Sequence, residues 1–123
     1  MSTPKIHESE YRLCLIVWER EPLSAVELAK LCRERLDWKR TTTYTVVKRL
    51  CERGILHNDD GIVTSLVSKG DAQQSEIDEL VEKRFEGSLP AFIAAFTRSR
   101  KLSDKELDEV QSMIDRIRQG ETK

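Results

Sequence analysis

A mainly α chain with one small β-hairpin is the fold class these 123 residues predict. Three observations carry that expectation. Apolar residues recur at three- and four-residue steps along most of the chain, the spacing of a helix with one buried face. Near the middle, Asp60-Gly61 sits between two β-prone runs, the signal of a tight hairpin. After Val67 the pattern is helical only.

The elements follow in order. The first helix spans about Glu8 to Arg20, with Leu13, Cys14, Val17 and Trp18 on one stripe and Tyr11 one turn earlier. Ser9 or His7 opens it. Glu21-Pro22 closes it, because proline disfavours helix in the residue before it. The second helix starts on Ser24, whose S-x-x-E spacing to Glu27 is a capping box, with Leu23 and Leu28 as a hydrophobic staple. Leu28, Leu31 and Cys32 form its buried stripe, and Leu36 and Trp38 anchor the turn that follows. The third helix runs from about Thr41 to Arg53. Val46, Val47, Leu50 and Cys51 face inward, with Thr43 near them. Thr41, Thr42, Thr45, Lys48, Arg49 and Glu52 collect opposite, with Tyr44 on the border. Gly54 is the expected glycine just past the helix end.

Ile55 to His57 and Ile62 to Val67 then flank the turn Asn58 to Gly61. Two helices joined by a short turn, with a hairpin behind the third helix, make a winged helix-turn-helix. Residues 1–67 are therefore assigned to a winged-helix DNA-binding domain.

Residues 68–123 read as a three-helix dimerisation region. Asp71 to Glu86 carries Ile77, Leu80, Val81 and Phe85 on one stripe. Ser88-Leu89-Pro90 opens a helix bearing Phe92, Ile93 and Phe96, since proline is tolerated in a first turn. Ser103 and Glu106 form a second capping box, stapled by Leu102 and Leu107. The last helix carries Leu107, Val110, Met113, Ile114 and Ile117. Roughly fifty residues cannot bury this much apolar surface alone. The expected cover is the same segment of a second chain, through Phe92, Ile93, Phe96, Leu107, Val110, Ile114 and Ile117.

Composition narrows the function. A net charge of −1 excludes a globally basic DNA-coating protein, so a nucleic-acid site must be local. One window qualifies. Trp38 to Gly54 holds Lys39, Arg40, Lys48, Arg49 and Arg53 against Glu52 alone, a local +4. No apolar run is long enough to span a membrane, and the N-terminal stretch has no signal segment, so a cytoplasmic protein without membrane insertion is expected. Cys14, Cys32 and Cys51 never form a C-x-x-C pair and occupy apolar helix positions, where they read as buried small hydrophobes. No ligand cluster, nucleophile–base set or glycine-rich phosphate loop is visible. No metal, cofactor or enzymatic activity is expected.

With these residues in place, the chain resembles the penicillinase-repressor family of bacterial transcription regulators, the BlaI/MecI/CopY type. Glu10, Tyr11, Leu13, Val17 and Trp18 resemble the family's E-W-x-V-x-x-x-V-W pattern. Trp38, Thr42, Thr45, Val46, Arg49, Leu50 and Gly54 resemble W-x-x-x-T-x-x-T-V-x-x-R-L-x-x-x-G, the most specific piece. The resemblance implies a homodimer whose winged helices each read half of an inverted-repeat operator. It also implies release through a membrane sensor protease that cleaves an Asn-Phe bond. That bond falls at Ala95-Phe96, where only Phe96 matches. The cysteine-free end, Arg118 to Lys123, departs from the copper-responsive branch, and copper sensing at such a site is not expected.

On this reading Thr41, Thr42 and Tyr44 occupy the positions that reach base edges, threonine offering both a hydroxyl and a methyl. Lys39, Arg40 and Lys48 go to phosphates, which position the protein without carrying sequence information. Arg49 either joins them or pairs with a carboxylate. The family's wing is commonly longer and basic. Here Asp59 and Asp60 leave it short and acidic, and little contribution to affinity is expected from it. The alternative is a winged-helix protein-interaction module without DNA binding, which the acidic wing favours.

Overall fold

The computed structural model describes residues 3–120. Met1 and Ser2, and Glu121 to Lys123 at the end of the cysteine-free tail, lie outside the described residues. The elements run α1 (Glu8–Arg20), β1 (Leu23–Ser24), α2 (Ala25–Leu36), α3 (Arg40–Glu52), β2 (Leu56–Asp59), β3 (Ile62–Ser65), α4 (Lys69–Arg84), α5 (Leu89–Arg98) and α6 (Asp104–Arg118). The chain divides into two compact units, Met1–Glu79 and Leu80–Lys123.

The first unit is a three-helix core closed by a small sheet. Leu13, Cys14 and Val17 of α1, Leu28 and Cys32 of α2, and Val46, Val47 and Leu50 of α3 are buried together. Ile55, Leu56 and Val63 extend this core under the hairpin. The hairpin is tighter than the sequence suggested. Its loop is Asp60-Gly61 alone, because Asp59 pairs with Ile62. Both loop residues have positive φ, 51° and 89°, the mark of a two-residue type I′ turn. Asn58 Oδ1 accepts the Gly61 N–H at 2.8 Å and fixes the turn.

The sheet has three strands, in the order β1-β3-β2, all antiparallel. The third strand is the addition to the expected hairpin. Leu23 and Ser24 pair with Val63 and Ile62. Ser24 then caps α2, its side chain accepting the Glu27 N–H at 3.0 Å. The Glu27 carboxylate lies toward Arg20, 4.0 Å away. One dipeptide therefore ends a strand and begins a helix, which ties the wing to the helix-turn-helix.

Two side chains hold the far end of the wing to α1. Trp18 Nε1 donates to the Val67 carbonyl at 2.9 Å. The Glu21 carboxylate accepts the Ser65 N–H at 2.7 Å and the Ser65 hydroxyl at 2.8 and 2.9 Å. The first unit extends past Val67 because Ala72, in the first turn of α4, is part of its core.

The second unit contains the end of α4 with α5 and α6. Phe85, Phe92 and Phe96 pack in series, the first pair edge to face and the second tilted, with centroids 5.5 and 6.1 Å apart. Ser88 caps α5 through the Ala91 N–H. Ser103 and Glu106 form the full capping box of α6. Neither α5 nor α6 has a buried residue.

Candidate nucleic-acid interface

The site is built on α3. Its inward residues Thr43, Val46, Val47 and Leu50 are buried at the spacing of one helix face. That fixes which residues point out. Thr41, Thr42, Tyr44, Thr45, Lys48 and Arg49 are exposed, as are Lys39 and Arg40 at the helix entrance. All seven residues expected at a DNA surface thus lie on solvent-facing parts of α3 or its entrance. Lys39 takes the N-cap position without a side-chain cap, so its ammonium stays available. Gly54 has φ +77°, which lets the chain turn from α3 into Ile55.

A hollow of about 460 Å³ runs along this surface, lined by Ser9, Trp38, Thr41, Thr42, Thr45, Val46 and Arg49. Four hydroxyls and one guanidinium surround it. This is a polar, hydrogen-bonding surface with one cationic end. Among the described residues, no ion pair engages Lys39, Arg40 or Lys48. Their charge is free for an anionic partner.

Arg49 is held differently. Its Nε donates to Glu10 Oε2 at 3.0 Å. Arg53 Nη1 donates to both Glu10 oxygens, at 2.8 and 2.7 Å, and Arg53 Nη2 donates to the Lys5 carbonyl. The His7 N–H donates to Glu10 Oε1 at 2.9 Å. Of the two roles open to Arg49, the carboxylate pair is therefore present. Half of the side chain remains exposed, 51%. Glu10 itself is fully buried. Burial opposes its charge, but the His7 N–H and the Arg53 and Arg49 guanidiniums outweigh that and hold its carboxyl below the usual carboxylate range. Glu10 also lowers the local balance around α3 from +4 to +3.

Sequence reasoning quoted Glu10 only as part of a motif. The signal for more was present. Glu10, Leu13, Cys14 and Val17 share one helical stripe, and a carboxylate on an apolar stripe needs cationic partners. It also passed over Lys30 and Arg33. These exposed α2 cations share a hollow of about 480 Å³ with Val26, Ala29, Glu34 and Arg40.

The hairpin tip carries exposed Asp59 and Asp60 and, from Ile55 to Val67, no Lys or Arg. In the second unit, Ile93, Phe96, Leu107, Val110, Ile114 and Ile117 are each more than two-fifths exposed, and Phe92 is half-buried. Ala95 and Phe96 lie inside α5, with the Arg100 guanidinium 5.1 Å from the Phe96 ring centre. The described residues contain no grouping of three or more His, Cys, Asp or Glu able to hold a metal ion, and no helix long and apolar enough to cross a membrane.

Residues 6–116 match the model of the penicillinase repressor family. The chain belongs to that family. It is similar to the methicillin resistance regulatory protein MecI of Mammaliicoccus sciuri, 23% identical over 118 residues that cover 93% of this chain and 96% of the relative. It is also similar to the penicillinase repressor of Bacillus licheniformis, 21% identical over 116 residues covering 91% of each chain. The family match takes in α1 through nearly all of α6, so both units belong to one repressor-type chain.

Proposed function

We propose that this penicillinase-repressor family member is a dimeric, sequence-specific DNA-binding repressor that recognises an inverted-repeat operator. The observation that carries the reading is the outward face of α3. Thr41, Thr42 and Tyr44 are exposed on its first turns, flanked by the unpaired cations Lys39, Arg40 and Lys48. A buried opposite face keeps this arrangement from rotating away.

The threonines and Tyr44 read base edges in the major groove. Lys39, Arg40 and Lys48 contact phosphates and set the register, and the exposed half of Arg49 adds to them. Lys30 and Arg33 extend the phosphate surface onto α2, the helix that crosses the backbone in this motif. The acidic hairpin tip takes no phosphate. Two copies joined through the exposed apolar faces of α5 and α6 present two α3 helices to two half-sites. Release by a sensor protease at Ala95-Phe96 requires α5 to open first, because exposed loop tips rather than helix interiors are the preferred sites of nicking.

Fluorescence anisotropy against duplex DNA from the chain's own promoter region tests this. Thr42→Ala flattens the preference among sequences. Lys48→Ala weakens all sequences alike and reduces the salt slope by about 0.9 per lost phosphate contact. Undetectable binding at low salt refutes the reading and favours a protein-interaction module.

A further inference from the structure

We propose that Glu10, which lies in the core and touches no DNA, is the positioning residue that sets α3 for the major groove and aims Arg49 at a phosphate. The proposal rests on the DNA-reading role of α3. It names a determinant of that role outside the helix-turn-helix itself.

Geometry carries it. Arg49 in the last turn of α3 and Arg53 at its C-cap stand four residues apart, and both end on the same Glu10 carboxylate. Two bonds one turn apart fix both the rotation and the axial position of a helix. The carboxylate is anchored in turn. It is fully buried on the stripe of Leu13, Cys14 and Val17, and it accepts the His7 N–H. Arg53 reaches on to the Lys5 carbonyl, so the segment before α1 joins the same clamp.

The clamp lies in line with the reading residues. Thr42, Thr45, Arg49 and Arg53 follow at steps of three, four and four, one continuous stripe along α3. A rotation of about 20° moves a side-chain tip by about 2 Å on a helix 10–12 Å across, more than the roughly 0.5 Å that a preorganised contact tolerates. A change at the Glu10 end is therefore felt at Thr42.

Arg49 shows the second half of the role. Glu10 takes only its Nε. Half of the side chain remains exposed, and Arg49 lines the hollow it shares with Ser9 and Thr45, so its terminal nitrogens are left for a second partner. A planar guanidinium held at one edge presents its other edge in a fixed direction, the geometry suited to a phosphate. A lysine ammonium is a point donor on a flexible stem, with no second edge held in a fixed direction.

The test compares full-length wild type, Glu10→Gln and Arg49→Lys by anisotropy over a salt series. The probes are the tightest duplex selected from a random-sequence pool and a scrambled duplex of the same composition. Thermal melts report the folded fraction.

Glu10→Gln removes one negative charge beside α3. The proposal expects affinity for the selected duplex to fall at least about tenfold while affinity for the scrambled duplex holds or rises, so the ratio collapses. A purely stabilising Glu10 leaves the ratio per folded molecule unchanged. A purely electrostatic one raises both affinities together. Either result overturns the proposal. Arg49→Lys keeps the charge at a half-exposed site and decides the matter if Glu10→Gln does not fold. An ammonium drawn to Glu10 has no second edge to aim outward, so the phosphate contact is lost, the salt slope drops by about 0.9 and affinity for the selected duplex falls. An unchanged slope and affinity refute the aiming of Arg49. If wild type does not distinguish the two duplexes, the DNA-reading function falls and this inference with it. If wild type distinguishes them and Glu10→Gln keeps the same ratio, only this inference falls.

Discussion

Replacing Ile114 with alanine should weaken the dimer and leave the protomer folded. Ile114 is 43% exposed on α6, a helix with no buried residue. Full burial of such a side chain is worth about 1.5–3 kcal/mol, so covering the remaining 43% contributes roughly 0.6–1.3 kcal/mol per chain. Alanine keeps its own β-carbon in the contact, so a homodimer loses at most twice this, about 1.3–2.6 kcal/mol, which bounds the rise in its dissociation constant at roughly 10- to 80-fold. Alanine is also the better helix former, so helix propensity does not account for a loss of dimer. Ile114→Asp should act more strongly, because it places an unpaired carboxylate in an apolar contact. Sedimentation velocity over a concentration series reads the change, with far-UV circular dichroism to confirm retained helix. A wild-type chain that stays monomeric at about 100 μM, in the range of weak association, refutes the reasoning. So does a dimer indifferent to both substitutions.

Three further outcomes concern the first unit. The Glu10 carboxyl is held below its unfolded value of 4.5, so its stabilising contribution is present above that pH and is lost as pH falls through the lower folded value. Thermal melts from pH 7 to pH 3 should show a drop beginning near pH 4.5 that is smaller in Glu10→Gln; an equal drop in both contradicts this. Gly61→Ala should cost about 1–2 kcal/mol in urea unfolding, because φ is +89° while an added Cβ meets nothing within 4 Å, leaving backbone strain as the only cost. A neutral substitution would mean that the turn relaxes. Burial pushes the Cys14 thiol up to about 12, with the Glu10 charge adding to it, so the thiolate fraction at pH 8 is about 1 in 10,000. Mass spectrometry after iodoacetamide treatment should find partly exposed Cys51 alkylated well before Cys14, and equal rates refute the burial argument.

Local chemistry was legible in the sequence, and long-range pairing was not. The Ser24 and Ser103 caps, the Asp-Gly turn and the inward face of α3 all rest on residues within four positions of each other. Each could be read as spacing. The third strand could not, since Leu23 and Ser24 become a strand only by pairing with residues 38 or more positions on. The Ser24 box formed one half only, with Glu27 lying toward Arg20. Ile6 and Ala72 complete the core from outside any strong apolar stripe. Arg49 shows the same limit at the site. Its outward position followed from the helix period, but its partner sits 39 residues earlier.

The central claim is that two copies of α3 read two half-sites of one operator. Hydroxyl-radical footprinting of the full chain on DNA from its own promoter region tests it most directly. The account predicts two protected patches related by a dyad, with centres about one helical turn of 10–10.5 base pairs, or a multiple of it, apart. A single patch without symmetry contradicts the dimer, and uniform protection at every salt concentration contradicts sequence reading by α3.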